Sequence, residues 1–187
     1  MYSDFQKAYD NVNNDFLEKL LDVYSFPFGI QTLIVEMMER WKIRLSNCAK
    51  KDVGEVRLEN SIIQGDAFFP LLFVLMIDPL IQILKKRIGN GAEILYYMED
   101  LKASMSTIGA SQTVHETVKQ YAQSVGMVIN TKKSTIQLNT ETPLPESLQD
   151  IPRIDENPYK YLGFEMKKGE NERKTTMKKL EEMIKKL

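Results

Sequence analysis

The chain has 187 residues, of which 43% are hydrophobic and 27% charged, with a formal net charge of −1. This length suits one domain, and the composition excludes collagen-like, disordered and disulfide-scaffold proteins. Because Cys48 and His115 are the only residues of their types, an internal disulfide and a Cys/His zinc cluster are excluded. Because the net charge is close to zero, any nucleic-acid binding must depend on local rather than overall basicity.

The first residues of the chain predict an intracellular protein. Met1 is followed by charged residues at positions 4, 7 and 10 rather than by a basic stretch and an apolar run, so we expect no secretory signal and a nuclear or cytoplasmic location. The most apolar stretch, residues 67–84, has the length of a membrane span but contains Pro70, Asp78 and Pro79. This favours a buried core helix, and we expect no contact with a membrane.

Two helices are predicted near the start of the chain. Apolar residues from Phe16 to Tyr24 recur at helical spacing behind the possible caps Asn13 and Asn14. A second set fits one face of a helix and is expected to be buried: Ile30, Leu33, Ile34, Met37, Met38 and Trp41.

Residues 42–47 and 54–58 alternate polar with apolar and predict a hairpin. A loop at 61–66 precedes a helix over 69–87, whose expected buried face contains Leu71, Leu72, Leu75 and Met76. Residues 93–98 and 101–105 then predict two short strands that meet at Glu99-Asp100.

The last third of the chain is predicted to mix short elements. Residues 110–125 fit a helix capped by Gly126, and residues 127–129 and 134–138 fit short strands. Four prolines between 139 and 158 predict a surface loop or linker. Residues 159–164 fit a final strand, and 170–187 fit a charged helix.

Asp4 and the pair Glu99-Asp100 are candidate ligands for two divalent cations. Two-metal phosphoryl transfer uses ions about 3.5–4 Å apart that share carboxylate ligands, and Mg²⁺ prefers oxygen donors. The alternative is that Glu99 and Asp100 form a solvated turn, since paired surface carboxylates are common at turns.

Five segments appear in order along the chain: Asp4-Phe5-Gln6-Lys7-Ala8-Tyr9-Asp10; Gln64-Gly65-Asp66 with Pro70-Leu71-Leu72-Phe73; Tyr97-Met98-Glu99-Asp100-Leu101-Lys102; Gly126-Met127-Val128-Ile129-Asn130 with Lys133-Ser134; and Tyr159-Lys160-Tyr161-Leu162-Gly163. Together they resemble the motifs of the reverse transcriptase palm, most closely those of non-long-terminal-repeat retrotransposons of the Dong-like type. Each motif alone is weakly specific, but their common order across nearly the whole chain indicates the family.

The resemblance implies an α+β fold, a polymerase-type palm with an antiparallel sheet backed by helices over residues 1–164 and the start of a basic thumb helix over 165–187. It implies RNA-directed DNA polymerase activity, in which deoxynucleoside triphosphates are added to the 3′-hydroxyl of a DNA primer on an RNA template with two Mg²⁺ ions. A fingers region, which normally holds the triphosphate, is expected to be missing.

Roles implied by the resemblance fall into three groups. The catalytic group is Asp4, Glu99, Asp100 and Lys133, of which the three carboxylates would be metal ligands and Lys133 a proton donor near pyrophosphate. The nucleotide-binding group is Phe5, Tyr9, Gln64 and Gly65, with Tyr9 packing under the sugar. The primer grip is Tyr161, Leu162 and Gly163. The alternative roles are a core residue for Tyr9 and a solvated side chain for Lys133.

One departure from the family pattern bears directly on the implied activity. Glu99 stands where the family has an aspartate, which adds a methylene to a ligand whose position matters to about 0.5 Å. With the fingers missing as well, we expect the chain alone to be inactive or impaired. The alternative function is a non-catalytic retrotransposon remnant or a nucleic-acid or protein interaction domain.

Overall fold

The structure of the protein is a computed structural model that describes residues 1–48, 51–58, 60–63, 65, 67–138, 143–155, 159–161 and 164–166. The helices are α1 (Asn14–Val23), α2 (Phe28–Glu39), α3 (Phe69–Ile88) and α4 (Ile108–Ser124). The strands are β1 (Tyr2–Ser3), β2 (Phe5–Gln6), β3 (Lys42–Ser46), β4 (Asp52–Arg57), β5 (Ala92–Tyr97), β6 (Asp100–Met105), β7 (Val128–Ile129), β8 (Tyr159–Tyr161) and β9 (Phe164–Met166). Across the described ranges, no helix combines the length and apolarity needed to span a membrane.

Two small antiparallel sheets each contain a short strand from the first six residues of the chain. Strands β1, β6 and β5 form a three-stranded sheet in the order β1-β6-β5, and β2 pairs with β7. Asp4 is the single residue between β1 and β2 and therefore lies where the chain passes from one sheet to the other.

Helices α1, α3 and α4 pack around one hydrophobic core. Asn13 caps α1 by accepting a hydrogen bond from the Phe16 backbone N–H at 2.9 Å, as its position before the helix predicted. The most enclosed face of α3 carries fully buried side chains, among them Phe73, Leu80 and Leu84. The predicted α+β architecture, with antiparallel sheets backed by helices, is confirmed.

Part of each predicted buried stripe is wrong. On α2, Ile34 and Met38 are buried, whereas Ile30 and Leu33 are 44% and 49% exposed. On α3, Leu72 is buried whereas Leu71 is 44% exposed. The apolar face of each helix is wider than the surface that the described residues pack against it, so the edges of both stripes contact solvent.

The β3 and β4 hairpin is confirmed, and every residue of the two strands is exposed. Its charged face carries the ion pair between Lys42 and Glu55 at 3.2 Å, while Ile43 and Val56 are opposite each other on the other face. The hairpin therefore projects from the core.

The segment around Leu148 corrects the prediction of a surface loop. Residues 143–155 include a short 3-10 helix, Glu146–Leu148, and Leu148, Ile151 and Ile154 are buried. These apolar side chains anchor the loop despite its prolines.

Two predicted strands also differ. Residues 134–138 make only isolated bridges at Thr135 and Ile136. The single strand predicted over 159–164 is instead two strands, β8 and β9, which pair antiparallel. The predicted helix over 170–187 and the thumb segment beyond residue 166 lie outside the described residues.

Candidate active site

The register of β1 on β6 brings two of the candidate carboxylates together. Ser3 pairs with Leu101, so one step further along the same antiparallel register places Asp4 opposite Asp100. Strands β1 and β6 are therefore neighbours in the sheet although they are far apart in sequence. Both carboxylates are half-buried at the end of the sheet.

A turn after β7 holds Asp4 from the other side. Phe5 pairs with Ile129, and the Asn130 backbone N–H donates to the Asp4 carbonyl at 2.8 Å. The Asp4 backbone N–H in turn donates to the Ser134 hydroxyl at 3.2 Å. These bonds fix the backbone on which the Asp4 carboxylate is presented.

Glu99 occupies the tip of the β5 and β6 hairpin. The strands pair as far as Tyr97 and Asp100, which leaves Met98 and Glu99 as a two-residue turn. Met98 has a φ of 51°, a left-handed conformation that is costly for a side chain with a Cβ. The turn aims Glu99 out of the ladder, whereas Asp100 is the first residue of β6.

Each carboxylate of the hairpin accepts a hydrogen bond from a tyrosine distant in sequence. The Tyr9 hydroxyl donates to Glu99 Oε2, and the Tyr159 hydroxyl donates to Asp100 Oδ1 at 2.8 Å. The ring of Tyr9 packs edge-on against Phe73 of α3 with centroids 4.9 Å apart. Tertiary packing therefore orients both carboxylates.

The Tyr159 ring belongs to an aromatic group beside the carboxylates. It stacks on Tyr2 with centroids 4.9 Å apart and an interplanar angle of 21°. Lys102 lies 5.9 Å from the centroid of the Tyr2 ring and 5.8 Å from that of Tyr161, within the range of cation–π attraction. The hairpin of β8 and β9 is thus attached to the carboxylate sheet through aromatic and charged contacts.

Burial and the repulsion of neighbouring charges raise the pKa of Asp4 and of Glu99. Desolvation raises the pKa of Asp4, and the negative charge of Asp100 adds to this, while Lys133 and a hydrogen bond from Asn130 oppose it. Desolvation is also the main cause of the raised pKa of Glu99, with Asp100 and Asp4 contributing. The three acidic groups therefore act on one another electrostatically, as groups sharing one site do.

The carboxylates of this site have the chemistry of metal ligands. Asp4 and Asp100 offer the carboxylate oxygens that Mg²⁺ prefers, and their mutual repulsion would be relieved by a cation. In the part of the chain that the structure describes, however, no three His, Cys, Asp or Glu side chains are gathered as metal ligands. The register places Asp4 and Asp100 opposite each other, and the roles of all three carboxylates as cation ligands stay predictions.

The predicted nucleotide-binding residues differ in how exposed they are. Phe5 is buried, with 3% of its surface exposed, and its role at a nucleotide stays a prediction. Gly65 is exposed and has a φ of +96°, which favours glycine as predicted. The loop before it is tied to Tyr9, whose carbonyl accepts from the Ile62 backbone N–H at 2.9 Å. Gln64 lies outside the described residues.

The remaining predicted residues are Lys133, Tyr161, Leu162 and Gly163. Lys133 is exposed and close enough to Asp4 to lower the pKa of that carboxyl. Tyr161 is half-buried and contacts Tyr2 and Lys102, and Leu162 and Gly163 lie outside the described residues.

Two residues of this site were missed at the sequence level. Asn130 and Tyr159 belong to the segments that were singled out, but neither was assigned a role there. Asn130 follows a strand end beside Asp4, which is a usable signal, since polar residues after paired strands often meet at one sheet edge. Nothing local indicates that Tyr159 reaches Asp100, which is 59 residues away.

An antiparallel sheet backed by helices, with Asp4 and Asp100 side by side at a strand end, defines the chain as a polymerase-type palm. A telomerase structure from Candida tropicalis, in an apo form truncated from its C-terminal domain, has a similar fold with a TM-score of 0.61 at 13% identity. The match covers 71% of this chain and 29% of the telomerase chain.

The family model of reverse transcriptase, the RNA-dependent DNA polymerase, matches residues 1–166, and the chain belongs to this family. The chain is also 26% identical over 178 residues to the Pol polyprotein of the type-1 retrotransposable element R2 from Nasonia vitripennis. This similarity supports the predicted non-long-terminal-repeat retrotransposon type. The match covers 86% of this chain but 17% of the polyprotein.

Proposed function

We propose that the chain is the palm part of an RNA-directed DNA polymerase, residues 1–164, followed by the start of a thumb. Its reaction would be the addition of a deoxynucleotide to the 3′-hydroxyl of a DNA primer paired with an RNA template. The observation that carries this proposal is the register of β1 on β6, which places Asp4 opposite Asp100. Family membership supports it independently.

In this proposal Asp4 and Asp100 hold the divalent cations. Bound Mg²⁺ would stabilise the charge that develops on the attacking and leaving oxygens during phosphoryl transfer. The Tyr159 hydroxyl orients Asp100, and Asn130 orients Asp4, so both ligands are held before a cation arrives. The Tyr9 ring, fixed by Phe73, would lie beneath the sugar of the incoming nucleotide.

Lys133 and Tyr161 would act on either side of the carboxylates. Lys133 already has an electrostatic effect on Asp4 and carries the proton that a departing pyrophosphate would accept. Tyr161 lies on the hairpin attached to the carboxylate sheet through Lys102, a position suited to gripping a primer strand.

One observation favours a second function, that of a non-catalytic remnant or interaction domain. Glu99 accepts a hydrogen bond from Tyr9, and among the described residues no three His, Cys, Asp or Glu side chains are gathered as metal ligands. A palm whose carboxylates are not gathered would position cations poorly, while its fold and nucleic-acid surface would remain.

A primer-extension assay on an RNA template, with Mg²⁺ or Mn²⁺, separates the two functions. We would compare the chain with a version fused to a related fingers region, each with Glu99 and with Glu99→Asp. The polymerase proposal expects extension by the fused Glu99→Asp protein and its loss by at least 100-fold when Asp4→Asn is added. No extension by the folded fusion would favour the remnant.

A further inference from the structure

His115 is the only histidine of the chain, and the fold buries it on α4. Its surface is 6% exposed, and its Nδ1 atom is buried without a hydrogen-bond partner among the described residues. Protonation would place a charged N–H at this position with no acceptor, which costs more than burying the neutral ring. The surroundings of His115 therefore suit the neutral imidazole.

A turn of the segment 143–155 contacts the same helix. Gln112, one helical turn before His115 on α4, donates from its side-chain amide to the Ser147 hydroxyl at 3.1 Å. The negative charge of Asp150, three residues after Ser147, acts on the His115 ring. His115 thus lies beside the place where this segment meets α4.

Residues 145–151, which we call the docking turn, are held mainly by local bonds and apolar contacts. The Leu148 backbone N–H donates to the Pro145 carbonyl at 2.9 Å, and the Ile151 N–H donates to the Leu148 carbonyl at 3.1 Å. The side chains of Leu148 and Ile151 are buried. A short turn of this kind separates from a fold at less cost than a core helix or strand unfolds.

The charged groups around His115 act on it in opposite directions. Burial has the largest effect and lowers the pKa of His115, and Lys119 on α4 lowers it further. Glu116 on α4 and Asp150 of the docking turn raise it without outweighing burial. Contact with water would return the pKa toward its ordinary value of 6.5. Stabilisation by the neutral ring is therefore complete above pH 6.5 and is lost as the pH falls through the lowered pKa of the folded state.

We propose that His115 is a pH-sensitive latch, and that its protonation releases the docking turn from α4 while the core stays folded. The docking turn precedes β8, whose Tyr159 hydroxyl donates to Asp100. Release of the turn frees the segment that leads to this contact, so acidification acts on the candidate active site through the chain. The latch does not depend on the proposed cation site.

Amide hydrogen exchange of the full 187-residue chain, read by NMR at pH 7.5 and pH 5.5, tests the latch. After correction for the intrinsic pH dependence of exchange, the Leu148 and Ile151 amides are expected to exchange faster at pH 5.5. Because the imidazole of the released state titrates near pH 6.5, the increase has a ceiling of about tenfold. Amides of α1 are expected to change less than about twofold, because the core stays folded.

His115→Gln is the matched variant, because glutamine is polar and stays neutral at both pH values. Its Leu148 and Ile151 amides are expected to change less than about twofold between pH 7.5 and pH 5.5, and His115→Leu provides a second neutral variant with the same expectation. Asp150→Asn removes a negative charge that favours the protonated ring, so it is expected to reduce the increase at pH 5.5. Thermal midpoints establish that each variant is folded.

Three results would overturn the latch. The first is no faster exchange of Leu148 and Ile151 at pH 5.5, and the second is an equal increase in folded His115→Gln. The third is an equal increase in α1, which would show that acid unfolds the whole chain rather than the docking turn. Because the chain has one histidine, its single imidazole signal also reports the pKa directly, and a value at or above 6.5 would contradict the burial argument.

Discussion

Replacing Tyr159 with phenylalanine removes one hydrogen bond and leaves the packing of the ring intact. The Tyr159 hydroxyl donates to Asp100 Oδ1 at 2.8 Å, and burial together with this bond raises the pKa of Tyr159. The phenylalanine ring keeps the stacking on Tyr2, so the change isolates the contact that joins the last hairpin to the carboxylate sheet.

The expected loss of stability follows from the charge and burial of the two partners. A hydrogen bond to a charged group contributes about 1.5–3 kcal/mol, and the partial exposure of Asp100 places this one near the lower end, at about 1.5 kcal/mol. For a chain of this size we expect Tm to fall by about 3–6 °C.

Thermal unfolding monitored by circular dichroism measures this loss, and Tyr161→Phe is the matched control. The Tyr161 hydroxyl lies on the same strand and makes no hydrogen bond within the described ranges, so its removal is expected to cost less than about 0.5 kcal/mol. In an Asp100→Ala background, Tyr159→Phe should cost nothing. Equal effects of the two tyrosine substitutions, or a full effect without Asp100, would refute the reasoning.

Three further predictions concern the loop anchor, the charge of the site and nucleic-acid binding. Leu148→Ala, at a fully buried side chain, is expected to cost about 2–5 kcal/mol in urea unfolding, while exposed Gln149→Ala costs less than about 0.5 kcal/mol. Burial raises the pKa of Asp4 in the folded protein above its ordinary value of 3.8. Protonation of Asp4 therefore stabilises the fold below pH 3.8, and this stabilisation is lost as the pH rises through the folded-state pKa. Asp4→Asn should therefore raise Tm at pH 7 more than at pH 3, and an equal shift at both would contradict the burial of the charge. Residues 165–187 carry eight Lys or Arg against five Glu, so we expect this segment to bind a primer–template duplex in a salt-sensitive, sequence-independent way. Deleting residues 167–187 should weaken that binding, as measured by fluorescence anisotropy. Binding unaffected by the deletion would place the basic surface elsewhere.

Features determined by neighbours along the chain were predictable from the sequence. Asn13 caps α1 through a bond to Phe16, three residues away, and the helix follows from the spacing of its apolar residues. The hairpin of β5 and β6 follows from alternation on either side of a short turn, which put Glu99 and Asp100 at its end. The resemblance to reverse transcriptases added that Asp4 belongs with them.

The widths of the buried faces and the anchoring of the loop depended on packing. Ile30 and Leu71 have the spacing of core residues, yet both are exposed, because burial depends on what another element places against a helix. Leu148 and Ile151 lie among prolines that indicate a loop, yet both are buried, since a loop can be anchored by a few apolar side chains.

The charged residues of the site can be read from the sequence, and the order of the motifs indicates the family. The hydrogen bonds from the Tyr9 hydroxyl to Glu99 and from the Tyr159 hydroxyl to Asp100, across 90 and 59 residues, depend on the tertiary fold. Spacing along a helix or strand constrains residues within a few positions of one another. A hydrogen bond between distant groups forms only after sheet register and helix packing have fixed both backbones, so no local pattern encodes it.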